Sequence, residues 1–198
     1  VVTGVGAVVN SARVGPGASV AVIGCGGVGL AAIQGARLAG AEPIIALDRI
    51  AAKLDLARAN GATHVVDASA SDPVAAVKDA TGGRGADYTF EVVGRSETIR
   101  QAYDMARRAG TITIVGAGSF SDSVTFGAMQ LMVDAKTIRG CVYGSTDPAR
   151  DFPEMVRLHQ SGRLDLNALV TRRIALDDVT EAFRAMEAGE VARSVIVF

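Results

Sequence analysis

Short aliphatic runs alternate with longer helical patterns along most of this chain, and that alternation restricts its fold more than any other feature. Residues 19–24, 43–48, 64–67, 88–93, 111–115 and 138–143 read as six strands. Helices are expected between them. One runs over 27–38 and closes at Gly40; a second runs over 51–59 and stops at Asn60-Gly61. A third starts at Asp72-Pro73, an acceptor side chain for the cap followed by proline at the first helical position, and a fourth runs from Ser96-Glu97 to about Ala109, ended by Gly110. Strands that are apolar almost throughout are covered on both faces, which implies a parallel sheet between two helical layers. Right-handed crossovers then predict an α/β, doubly wound, six-stranded parallel sheet in the order 3-2-1-4-5-6, with its ligand at the carboxyl ends of the strands. After residue 143 the pattern changes. Residues 151–161 and 177–188 read as helices, 164–174 lies between them, and 193–198 reads as a closing strand, so two units are expected, 1–143 and 144–198.

Between the first run and the first helix lies Gly24-Cys25-Gly26-Gly27-Val28-Gly29, which matches G-x-G-x-x-G at Gly24, Gly26 and Gly29. Gly24 permits the tight turn out of the strand, Gly26 lets bare backbone approach a pyrophosphate, and Gly29 lets the helix pack close to the sheet. The helix N-terminus adds free N–H groups and a positive dipole end. The second strand ends at Asp48, nineteen residues after Gly29. A carboxylate there accepts ribose hydroxyls and repels a 2′-phosphate, so the pattern reads as a Rossmann dinucleotide site that prefers NAD to NADP. Arg49 beside it is the one residue that could greet a phosphate. S-adenosylmethionine is the competing ligand on such a sheet; the full pyrophosphate spacing and the sixth strand favour the dinucleotide.

Composition removes other classes. A net charge of −1 gives no electrostatic reason to expect a nucleic acid or an acidic membrane as partner. No apolar run approaches the roughly 18 residues that span a bilayer, and the first residues lack the basic start of a signal peptide. Cys25 and Cys141 stand far apart without a C-x-x-C, which suits a reducing, cytoplasmic setting. With His64 and His159 they form no ligand spacing, so no metal site is expected in this chain, and no G-x-S-x-G elbow suggests a hydrolase. The chain has no initiating Met and starts inside what reads as an ordered element, so a longer parent protein is expected.

The ordered series Thr3-Gly4-Val5-Gly6-Ala7, Val14-Gly15-Pro16-Gly17, the strand and glycine turn of 20–30, the strand of 44–48, Lys53-Leu54, Gly61-Ala62-Thr63-His64, the run of 90–95 and Val115-Gly116 closely resembles the coenzyme domain of zinc-dependent medium-chain alcohol dehydrogenases. The branch that includes glutathione-dependent formaldehyde dehydrogenase is the nearest, and the resemblance extends over the whole chain. It implies that Thr3 packs beside the nicotinamide and that Gly26, Gly27 and Val28 hold the pyrophosphate. Asp48 takes the ribose, with Lys53 near it. Val93 and Arg95 wall the adenosine. Val115, Gly116, Ala117, Cys141 and Tyr143 lie along the carboxamide, and Arg193 reaches the pyrophosphate from the tail.

The same resemblance places a catalytic zinc, its ligands and the proton relay in a separate preceding domain, with the last cysteine ligand two positions before Val1. It assigns 144–198 to that catalytic domain, before a return to the cofactor cleft. The implied function is to position NAD for hydride transfer from an alcohol or aldehyde adduct, with no catalysis by this chain alone. Alternatives are a stand-alone NAD-binding module and a zinc-free NADPH quinone reductase-like domain; Gly24, Gly26 and Asp48 speak against the latter. Subunits of the family pair through the sixth strand, so a homodimer through 129–143 is expected. Met129 and Met132 read equally well as contact residues or as core filling.

Overall fold

The structure is a computed structural model that describes residues 1–198 apart from the side chain of Glu187. One sheet contains β1 (Val20–Ile23), β2 (Ile44–Asp48), β3 (His64–Asp67), β4 (Ala86–Glu91), β5 (Ala106–Ile114) and β6 (Thr137–Gly140). The strands lie in the order β3-β2-β1-β4-β5-β6, the order expected from the sequence, and every neighbouring pair is parallel. The crossovers carry α2 (Gly27–Leu38), α3 (Ala51–Ala59), α4 (Pro73–Ala80), α5 (Ser96–Met105) and α6 (Ala128–Asp134). A short helix, α1 (Val2–Gly6), precedes them and continues as a wider turn over Ala7–Ala12.

The apolar runs are explained by the two cores. Val20, Val22, Ile44 and Ala46 project into one, with Val5, Val8, Leu30 and Ile33. Ala21, Ile23, Ile45 and Leu47 project into the other, with Val77, Ala102 and Met105. Alternate residues of β1 and β2 thus enter opposite layers, and each must be apolar. The helix starts also follow the sequence: Asp72 accepts from the N–H groups of Val74 and Ala75 at 2.9 and 3.4 Å.

Several boundaries differ from the sequence reading. α5 stops at Met105, not near Ala109. Ala106 pairs with Ala86, and the next pair is Tyr88 with Thr111, so the residues between bulge out of register. Ala109 adopts φ +56° there, and Arg107 binds Asp87. β4 ends at Glu91, two residues early, and β6 ends at Gly140, so Cys141 lies just past the strand and Tyr143 opens a short turn, Tyr143–Ser145. The periodic pattern gave no warning of α1, α6 or β7 (Arg172–Ile174). α1 is held by packing: a Cβ on Gly4 would lie 2.3 Å from the Val28 carbonyl oxygen, so only glycine lets α1 approach α2 this closely. In α6, Met129 and Met132 are 67% and 66% exposed, which corrects the core-filling alternative.

Packing continues across residue 143. α7 (Pro148–Gln160) buries Met155, and Leu164 and Leu169 after it are fully buried in the core that holds α2. Gln34 of α2 donates to the Asp165 carbonyl and accepts from its N–H, each at 2.8 Å. Beyond residue 170, β7 pairs in parallel with β8 (Ser194–Ile196) in a separate two-stranded sheet, with α8 (Val179–Glu187) between them. Among the described residues no helix is long and apolar enough to cross a membrane.

Candidate functional site

In an open doubly wound sheet the crevice forms where successive connections leave in opposite directions, here between β1 and β4. The glycine turn occupies that point. Gly24 has φ +95°, where side-chain-bearing residues are strained. A Cβ on Gly29 would lie 1.8 Å from the Gly24 carbonyl oxygen, so the third glycine is fixed by the turn itself. A Cβ on Gly26 would meet nothing within 4 Å, which marks the open side of the turn. Gly26 is the N-cap of α2 and no side chain caps this helix, so the first N–H groups, those of Gly27 and Val28 among them, have no partner from the helix.

Asp48, at the end of β2, turns its carboxylate towards this loop. Oδ2 accepts from the Cys25 N–H at 2.7 Å, and Oδ1 accepts from the N–H groups of Arg49 and Ile50 at 2.8 and 3.1 Å. A carboxylate has about four acceptor positions, so capacity remains on Oδ2. Burial pushes the Cys25 thiol up to about 12, the Asp48 charge adds to that, and the Lys53 charge opposes it. The thiol donates to the Leu47 carbonyl, so Cys25 is an inert part of the turn.

The tail closes the site from the other side. A Cβ on Gly27 would lie 3.0 Å from the Ala192 carbonyl oxygen and 3.3 Å from the Arg193 guanidinium, which places Arg193 beside the glycine turn. Lys53 lies against Gly189: its Nζ is 3.2 Å from a Cβ built there. Val93 touches Gly24, since a Cβ on that glycine would be 2.8 Å from Val93 Cγ2. Gly116 and Ala117 run against Gly94; a Cβ on Gly116 would be 2.1 Å from the Gly94 nitrogen. Arg95, exposed, is the N-cap of α5. Val115 donates to the Glu91 carbonyl, and Cys141 to that of Ile114. Gly144, next to Tyr143, packs on the Val2 and Thr3 carbonyls and on Gly6, which brings the Thr3 and Tyr143 segments together. Of the fifteen residues singled out in the sequence, twelve lie at or just after the carboxyl ends of β1, β2, β4, β5 and β6; Thr3 lies on α1, Lys53 on α3 and Arg193 just before β8. The sequence reading missed Glu91 as a residue of interest, although it ends β4 as Asp48 ends β2.

Two cavities open in the structure, the second lined in part by Arg193. One of about 440 Å³ opens among Asn10, Arg13, Arg139 and Ser145 beside the β6 edge, and one of about 160 Å³ lies under α8 against Ile174, Phe183 and Met186. Among the described residues no group of three His, Cys, Asp or Glu side chains is placed to hold a metal ion.

The family described as "Zinc-binding dehydrogenase" matches residues 27–161. The chain belongs to this family. The chain is 38% identical over 197 residues to the geraniol dehydrogenase of Castellaniella defragrans and 39% identical over 198 residues to the S-(hydroxymethyl)glutathione dehydrogenase of Synechocystis. Each alignment covers 99% of this chain but only 52% and 53% of the relative, so the chain spans about half the length of the curated relatives it matches. The crystal structure of benzyl alcohol dehydrogenase from Acinetobacter calcoaceticus superposes with a TM-score of 0.94 at 36% identity, over 98% of this chain and 53% of that one.

Proposed function

We propose that this dehydrogenase chain is the NAD-binding half of a zinc-dependent alcohol dehydrogenase and positions the cofactor for hydride transfer from an alcohol or aldehyde adduct. The observation that supports the reading is the Asp48 carboxylate at the end of β2, hydrogen-bonded to the glycine turn that follows β1, beside the β1–β4 crevice. The residues fit the dinucleotide: Gly26 leaves open space, the start of α2 offers unpaired N–H groups, and Arg193 stands beside them. Gly26, Gly27, Val28 and Arg193 hold the pyrophosphate. Asp48 accepts the adenosine ribose hydroxyls on its remaining acceptor capacity, with Lys53 beside it. Val93 and Arg95 line the adenosine side. Thr3, Val115, Gly116, Ala117, Cys141 and Tyr143 border the nicotinamide. Bound NAD supplies the hydride acceptor; these residues orient it and exclude water around it.

The chain spans about half the length of its relatives, and among the described residues no group of three His, Cys, Asp or Glu side chains is placed for a metal ion; the zinc and the substrate pocket are assigned to the rest of the protein. This chain alone binds NAD and does not oxidise alcohols. The division that follows keeps residues 1–143 as the nucleotide domain and treats 144–198 as the return from a catalytic domain, with 144–170 docked on the nucleotide core. A homodimer forms through 129–143; exposed Met129, Met132 and Val133 and the free edge of β6 support it. Two buried free cysteines suit a reducing cytoplasm. The test is a fluorescence titration of the purified chain with NADH, followed by an alcohol oxidation assay with added zinc. Saturable binding without turnover is expected. No binding would refute the nucleotide assignment, and zinc-dependent turnover would refute the assignment of catalysis to another part.

A further inference from the structure

β4 ends in Glu91, a fully buried carboxylate at the point where the crevice opens. It stands in register with Ile23, the last residue of β1, on one side and with Ile114, the last of β5, on the other. One oxygen, Oε1, accepts three hydrogen bonds: from the Val93 N–H at 2.9 Å, the Gly94 N–H at 2.8 Å and the Thr98 hydroxyl at 2.7 Å. The other, Oε2, is buried without a hydrogen-bond partner. The Glu91 carbonyl accepts from the N–H groups of Val115 and Gly116 at 2.8 and 3.0 Å. A single residue thus ties together the turn after β4, the first turn of α5 and the end of β5.

That turn is tightly enclosed. Val93 abuts Gly24 of the glycine loop, and Gly94, at φ +87°, abuts Gly116, Ala117 and Gly118. Small shifts of the 92–95 turn would therefore reach both the glycine loop and the 115–118 segment. Burying a carboxylate with one oxygen uncovered is costly, and a neutral acceptor would hold the same turn. The feature the turn needs is an acceptor at the Oε1 position.

We propose that Glu91 is a positioning residue for the cofactor: by holding the Val93 and Gly94 amides it sets the wall of the crevice between the glycine loop and the 115–118 segment. This rests on the nucleotide reading above. The test uses the purified chain with Glu91→Gln, which keeps an acceptor, and Glu91→Met, which keeps size and loses it. NADH affinity is measured by fluorescence titration at a temperature where circular dichroism shows each protein folded, and exchange of the Val93 and Gly94 amides is followed without cofactor. Glu91→Gln is expected to bind NADH within about threefold of the unsubstituted chain. Glu91→Met is expected to bind at least about tenfold more weakly, with faster exchange at both amides. Should Glu91→Met not fold, Glu91→Asp replaces it; the shortened side chain withdraws the acceptor, and affinity is expected to fall at least about fivefold. Unchanged NADH affinity in the folded Glu91→Met or Glu91→Asp protein would overturn the proposal. Failure of the unsubstituted chain to bind NADH would overturn the nucleotide reading instead.

Discussion

In the six-stranded sheet, β1 and β2 are apolar on both faces and both faces are covered by helices of the same chain. In the two-stranded sheet of β7 and β8, the covering helix α8 leaves Phe183 and Met186 57% and 53% exposed, and Val195 and Val197 are exposed as well. Both are parallel sheets with helical connections; they differ in how much of their apolar surface the chain itself covers. The main sheet thus has its core completed within this chain, with Met155, Leu164 and Leu169 contributing to it, whereas β7, β8 and α8 leave large apolar side chains exposed.

Matched substitutions put this difference at risk. Gly29→Ala drives a Cβ to 1.8 Å from a backbone carbonyl in the glycine turn, whereas Gly189→Ala, at φ +76°, meets the movable tip of Ile50. Gly29→Ala is expected to cost about 3–5 kcal/mol and Gly189→Ala about 1–3 kcal/mol in urea unfolding followed by circular dichroism. Equal losses would break the comparison. Leu169→Ala, in the main core, is expected to cost about 2–5 kcal/mol, while Phe183→Ala costs less than about 1 kcal/mol and lowers self-association by light scattering.

Arg193 joins the two regions, since it leaves the small sheet to stand beside Gly27. Arg193→Ala is expected to weaken NADH binding about tenfold and to leave the urea midpoint nearly unchanged. A large loss of stability with intact binding would make Arg193 a packing residue. The smallest effect concerns acid. Burial would raise the Asp87 carboxyl, but hydrogen bonds from Ser19 and Arg107 together outweigh it and hold the group below its ordinary value. A depressed folded value means stability that is present above the unfolded value, about pH 4, and is lost as the pH falls below it. Asp87→Asn is therefore expected to flatten the loss of stability below about pH 4 in thermal melts. An unchanged acid profile would remove Asp87 from the account.

The legible and illegible parts of the sequence divide by mechanism. Strand order and the glycine loop were readable because each follows from local rules: two-sided burial makes β1, and β2 as far as Leu47, apolar, and Gly24, Gly26, Gly29 and Asp48 stand at a spacing set by one turn and one crossover. α1 was not readable, because Gly4 and Gly6 are poor helix formers and the helix exists by packing on α2 and on Gly144. The early end of α5 was hidden because residues 106–109 continue a helical pattern, and a long-range pairing of Ala106 with Ala86 overrides it. Glu91 was passed over because the sequence pattern put it inside a strand of 88–93, and only the folded chain shows the strand ending there with three donors converging on the carboxylate.

The central claim is that the Asp48 carboxylate grips a ribose beside the glycine loop, and comparing the unsubstituted chain with Asp48→Ala by titration with NADH and NADPH tests it most directly. The unsubstituted chain is expected to bind NADH at least about tenfold more tightly than NADPH, and Asp48→Ala to lose that preference through weaker NADH binding. The same preference in both proteins would contradict the account.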